Sequence, residues 1–224
     1  MTLTQIAQAI AYAVVDNGGT DEDTKRILSD ERLRNEIAGL ILGITKVVTG
    51  PILFPLLRDK PLSFDACGGT RTMANAKDVF TGWVDNDWKN YGLSNAGPAT
   101  IATPARMYEL SKNARFKEMF LSLSFPLDAM CVTESQYIGF AEKYPHLLGE
   151  YGTFMLVKKD WSKPAMQLID GVENFDNVFV ARAYRYFEYF DGLNVYVDRF
   201  EYAHDWDADG HHRVVVPQLG TSQL

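Results

Sequence analysis

The chain has 224 residues, 46% of them hydrophobic and 23% charged. That is ordinary globular composition and excludes a disordered or collagen-like chain. Its 22 basic residues against 29 acidic ones leave a net charge of −7, the wrong sign for steering onto a phosphate backbone, so no nucleic-acid partner is expected.

Leu3, Ile6, Ala7, Ile10 and Val14 recur at helical spacing, and Asn17-Gly18-Gly19 supplies the permissive backbone that ends the helix. Thr20 and Asp21 open a second helix, and Ser29 or Asp30 opens a third with Leu33, Ile37, Leu40, Ile41 and Ile44 on its apolar side. Residues 1–50 thus read as a helical segment. The stretch from Ile37 to Leu57 is long and apolar enough to span a bilayer. Lys46 inside it would cost about 2.5–3.5 kcal/mol on an insertion scale, and Gly50-Pro51 and Pro55 interrupt it. A buried helix followed by an apolar loop is therefore expected in place of a membrane span. No Lys or Arg precedes Lys25, so a secretory signal is not expected either.

From 51 to 104 periodicity fades, and the segment reads as an irregular connection packed on the main domain, residues 105–219. Thr103-Pro104 resembles an N-cap followed by a first-turn proline and predicts a helix from Ala105 to about Leu121. Thr133 and Gln136 form a capping box for a helix that runs until Pro145. The pattern then changes to strands over Tyr151–Val157, Val178–Phe190, Leu193–Tyr202 and His212–Val216. The expected fold class is α+β, with N-terminal helices followed by a C-terminal antiparallel sheet, a meander of about four strands.

Asp191-Gly192 lies between two strand-like runs and predicts a two-residue type I′ hairpin. That register sets Arg185 opposite Asp198, Arg182 opposite Glu201, Tyr184 opposite Arg199 and Tyr186 opposite Val197. One face then carries Val180, Arg182, Tyr184, Tyr186, Val195, Val197, Arg199 and Glu201. The other, with Phe179, Ala181, Ala183, Phe187, Tyr196, Phe200 and Tyr202, is more apolar and should meet the helices. Arg182, Tyr184, Tyr186 and Arg199 form a candidate binding face, with a solvated sheet face as the alternative.

The run Asp205, Asp207, Asp209, Gly210 begins like a calcium loop, with oxygen ligands at alternate positions. Val216 stands where an EF-hand has its bidentate Glu, and the following residues read as strand. Asp205, Asp207, Asp209 and His211 remain as a candidate site for a divalent cation. His204 with His211 or His212 is a transition-metal variant, and a polar loop between strands is the structural alternative. No other cofactor is expected.

Between Lys77 and Gly92, Phe80, Trp83, Trp88 and Tyr91 alternate with Asp78, Asp85 and Asp87. Aromatics beside carboxylates suit carbohydrate or cation recognition, or equally serve as anchors for an irregular segment, and Asp85 with Asp87 is a candidate acid/base pair. Cys67 and Cys131 form no C-x-x-C motif, which excludes a disulfide framework and suits a reducing cytoplasm. Cys67 with His146 is the one thiol–imidazole pair to consider. No phosphate-loop, dinucleotide, nucleophile-elbow or zinc-protease motif occurs.

Residues 78–84 (Asp-Val-Phe-Thr-Gly-Trp-Val), 127–133 (Leu-Asp-Ala-Met-Cys-Val-Thr) with Gln136, 151–154 (Tyr-Gly-Thr-Phe) and the closing 213–219 (Arg-Val-Val-Val-Pro-Gln-Leu) resemble a family of bacterial proteins, many from uncultured lineages, that carry no assigned activity. The resemblance implies a shared domain and supplies no catalytic residue. Against that family, Trp161 to Asn177 reads as an insertion, a second hairpin around Asp170-Gly171. The expected function is that of a non-catalytic binding domain in the cytoplasm, with a protein partner or a second copy of itself. The alternative is a cation-dependent hydrolase acting through the acidic and histidine cluster at 204–212.

Overall fold

The computed structural model describes Thr20 and residues 51–56, 61–148, 152–185 and 192–218. The chain divides into two compact units, 1–50 and 51–224. The three helices expected before residue 50 and most of the apolar stretch Ile37–Leu57 lie outside the described residues. Among the described residues no helix is long and apolar enough to cross a membrane.

The second unit mixes helix and strand around one large sheet. Its strands are β1 (Leu53–Pro55), β2 (Leu62–Phe64), β3 (Thr103–Leu110), β4 (Cys131–Val132), β5 (Thr153–Lys158), β6 (Gln167–Ile169), β7 (Val172–Asn174), β8 (Val178–Arg185), β9 (Leu193–Arg199) and β10 (Arg213–Pro217). The helices are α1 (Asp87–Asn90), α2 (Phe116–Leu121), α3 (Leu127–Met130) and α4 (Glu134–Lys143). Eight strands form the main sheet in the order β1-β3-β10-β5-β8-β9, with β2 also on β3 and β4 also on β5. This corrects the expected four-strand meander: the sheet is larger, three of its strands precede α2, α3 and α4, and β5 pairs in parallel with both β10 and β4.

The helix expected from Ala105 is mostly strand. Thr103, standing before Pro104, is biased to extended backbone, and the apolar residues then alternate. Ala105 and Met107 enter one core while Tyr108 and Leu110 enter the other. Only Phe116–Leu121 is helical. The connection 51–104 contributes β1 and β2, which lie on the outer edge of β3.

Both faces of the sheet are covered, and for that reason β5 reads as an unbroken apolar run. Met155, Val157, Ala181, Ala183, Val195 and Val197 pack beneath Tyr137, Ile138 and Phe140 of α4. Phe154, Leu156, Val180 and Val214 pack beneath Phe116 and Phe120 of α2, with Phe200 and Trp206. Helix α4 begins with the expected capping box: Thr133 Oγ1 accepts from Gln136 N–H at 3.1 Å, and Gln136 Oε1 accepts from Thr133 N–H at 3.1 Å. It stops at Lys143, short of Pro145.

The two Asp-Gly pairs behave differently. Asp170-Gly171 is the turn expected of it: both residues have positive φ (52° and 78°), as type I′ requires, and Ile169 faces Val172. At the second pair Asp191 lies outside the described residues, but the flanking strands do not take the expected register. In the observed register Arg185 faces Leu193, Arg182 faces Tyr196 and Val180 faces Asp198. Arg185 and Asp198 therefore sit five positions apart along the ladder, roughly 17 Å.

Parity explains the correction. The shift is an odd number of residues, so every side chain of β9 changes face relative to β8. The observed register puts Leu193, Val195 and Val197 with Ala181 and Ala183 in one core. The expected register would have stranded those valines beside Arg182 and Tyr184. Burial of an apolar row, worth about 1.5–3 kcal/mol for each large side chain, outweighs a preferred turn.

Gly192 answers to a different constraint. A Cβ there would stand 2.4 Å from Gly82 N, whereas a Cβ on Gly171 meets nothing within 4 Å. Gly171→Ala is expected to lose only the positive-φ preference, about 1–2 kcal/mol. Gly192→Ala is expected to cost at least 3 kcal/mol, because two backbones must separate and their hydrogen bonds lengthen. Urea unfolding of both variants checks this, and equal losses would contradict it.

Candidate functional site

The segment 71–95 is held to the fold at three places. Near its start, Arg71 N–H donates to Ser135 Oγ (3.0 Å), whose hydroxyl donates back to Arg71 O (2.9 Å). In its middle it runs along the free edge of β9. Gly82 N–H donates to Leu193 O (3.1 Å), Val195 N–H to Trp83 O (2.7 Å) and Asp85 N–H to Val195 O (3.0 Å). Phe80 and Trp88 are each 2% exposed and pack on Tyr137 of α4, with ring centroids 5.9 and 6.2 Å away. Between these anchors Trp83 is turned outward, 47% exposed. The aromatic pattern of the sequence thus splits into two anchors on Tyr137, a third ring (Tyr91) stacked on Phe179 at 5.2 Å, and one surface ring.

The segment encloses a cavity of about 470 Å³, within the size range of small-molecule sites. Buried Met73, Phe80 and Trp88 form its inner lining, and Lys77, Thr81, Trp83, Lys89 and Ser94 are the exposed part. Asp85 also lines it, but one of its oxygens is occupied by Asp87 N–H (3.1 Å), while Asp87 accepts from Asn90 Nδ2 (2.8 Å). The two carboxylates expected as an acid/base pair therefore shape the first turn of α1.

Glu134 of α4 ties down the ends of this segment. Its carboxylate accepts from Met73 N–H (2.9 Å) and Asn95 N–H (3.2 Å), and the residue is 3% exposed. Sequence reasoning missed it. Its only signal was an acidic residue in the first turn of a capped helix, where the dipole favours it anyway.

The candidate binding face is not one face. The Arg182 guanidinium lies 5.2, 4.9 and 4.9 Å from the rings of Tyr184, Tyr196 and Trp206, and its Nε is 3.6 Å from Asp198 Oδ2. Tyr184 stacks on Tyr196 at 5.2 Å. Arg199 is on the opposite side of the sheet, over the ring of Tyr91 at 5.5 Å. Tyr186 lies outside the described residues. Burial holds the Asp198 carboxyl above the usual carboxylate range against the pull of Arg182, and burial together with Arg182 lowers His212 below the ordinary histidine value. Tyr196 and Trp206, which complete this cluster, were hidden by the register error.

The four candidate metal ligands do not converge. Asp205 pairs with Arg115 (3.0 Å), Asp207 accepts from Asp209 N–H (2.9 Å), and His211 Nδ1 lies 3.1 Å from Glu109. Among the described residues no group of three carboxylates, imidazoles or thiols is placed to hold an ion. The acidic run is a polar connection between β9 and β10.

Cys67 is half-buried, with its sulfur 3.1 Å from Thr100 Oγ1 and 3.7 Å from Thr133 Oγ1. Burial raises its pKa, but hydrogen bonds from Thr100, Thr133 and Gly69 outweigh that and leave it below the ordinary thiol value. Its hydrogen-bond partners are threonines and backbone, and His146 is not among them. Cys131 is buried, which pushes its thiol far up. Comparison with known proteins finds no matching family model, no matching curated protein and no matching solved structure.

Burial pushes the Glu134 carboxyl up to about 7, from an ordinary 4.5, against the two N–H bonds that favour its charge. The folded chain then binds this proton more tightly than the unfolded chain, so stability falls as pH rises between those values. Glu134→Gln removes the titration, and urea midpoints measured from about pH 4.5 to about 7.5 should lose part of that downward slope. A slope indifferent to the substitution would contradict the assignment.

Proposed function

We propose that this chain is a non-catalytic binding domain whose ligand seat is the cavity beneath Trp83. The carrying observation is the division of labour among three rings in one segment. Phe80 and Trp88 are anchored in the core, and Trp83 is left 47% exposed on the wall of a cavity of about 470 Å³. An exposed indole held by backbone bonds on both sides costs little to order on binding, and it offers a flat apolar platform. The sheet face that first suggested a protein partner is occupied from within, since the Arg182 guanidinium is packed among the rings of Tyr184, Tyr196 and Trp206 and ion-paired with Asp198. The two free cysteines suit a cytoplasmic setting.

The cavity lining offers an indole platform, two lysines, the Asp85 carboxylate and short polar side chains. A fragment screen by two-dimensional NMR tests the proposal. Hits should shift the indole signal of Trp83 and the amides of Lys77 and Lys89, bind at least tenfold more weakly to Trp83→Ala, and be recovered unchanged. Hits confined to other surfaces would overturn the site, and consumption of a bound compound would overturn the non-catalytic reading.

A further inference from the structure

The cavity lining carries an unbalanced charge. Arg71, Lys117, Lys143 and Lys158 each hold a carboxylate elsewhere in the fold. The side chains of Lys77 and Lys89, both on the cavity's exposed lining, have no ion pair or hydrogen bond among the described residues. Asp85 is the one acidic group in that lining, and Asp87 N–H already occupies one of its oxygens. The buried indole N–H of Trp88 has no acceptor either. The lining thus offers two cations and one buried donor against a single carboxylate, in a chain whose net charge is −7.

We infer that the ligand is a small molecule with a flat, apolar body and one anionic group, a carboxylate, sulfonate or phosphate. This rests on the reading of the cavity as the binding seat. The flat body lies against Trp83, and the anionic group meets Lys77 and Lys89. Two exposed lysines on a partly apolar wall attract such a ligand, and added salt weakens the attraction. A neutral molecule of the same shape keeps the stacking and loses the charge contribution. A cationic one is repelled.

A matched pair of dyes separates the two layers of the argument. 1-Anilinonaphthalene-8-sulfonate and N-phenyl-1-naphthylamine share a body and differ by the sulfonate. Each is titrated into the full chain and into Trp83→Ala, which reports whether the cavity is the site. In low salt the sulfonate should bind about tenfold more tightly than the neutral dye. The preference should vanish in the Lys77→Gln/Lys89→Gln variant and shrink at high salt, with the neutral dye unaffected by either change. Both substitutions are at exposed positions, so folding is not at stake. If both dyes bind through Trp83 with equal affinity, the anion inference fails and the cavity reading stands. If neither dye is sensitive to Trp83→Ala, both fail.

Discussion

Gly192 lies so close to the backbone of Gly82 that it has no room for a side chain, and a Cβ on Gly82 would meet the Asn194 side chain at 2.6 Å; the arrangement of the sheet's edge follows from that contact. The pair lets residues 82–85 lie in parallel along β9 and take up hydrogen-bonding groups that an edge strand would otherwise expose. The same contact decides where Trp83 stands: its carbonyl is held by Val195 N–H, so its ring is fixed on the outer side of the ladder. With Phe80 and Trp88 anchored on Tyr137, the cavity wall is determined by core packing and sheet pairing together.

Much of this was legible in residues whose local chemistry points one way. The Thr133–Gln136 capping box, the stop before Pro145 and the Asp170-Gly171 turn each depend on a few neighbours, and each appears where the sequence places it. The register read from Asp191-Gly192 and the helix at Thr103-Pro104 failed for a shared reason. Both readings relied on a local signal where a distant partner sets the outcome. Gly192 serves Gly82, more than a hundred residues earlier in the chain, and Thr103–Leu110 is organised by β1, β2 and β10. A parity test was nonetheless available from sequence: Ala181 and Ala183 share a core with Val195 and Val197 only if the paired residue numbers have an even sum.

Charge separates the two places where aromatics gather. Around Arg182 three rings and Asp198 close on one guanidinium, a cluster that ties β8 and β9 to the segment that carries Trp206 and His212. Around Trp83 the rings are of the same kind, yet among the described residues the side chains of Lys77 and Lys89 pair with no carboxylate. Composition cannot distinguish a cation enclosed by rings and a carboxylate from one left exposed, because both settings contain aromatic and basic residues close together. Only the register, which decides who faces whom, makes the difference visible.

The position of Trp83 depends on residues 82–85 being bonded to β9, and amide hydrogen exchange tests that directly. The amides of Gly82, Asp85 and Val195 should exchange slowly and together, as members of one ladder. Exchange of Gly82 and Asp85 at the rate of an open loop, with Val195 unprotected, would contradict it and remove the wall on which the proposed site is built.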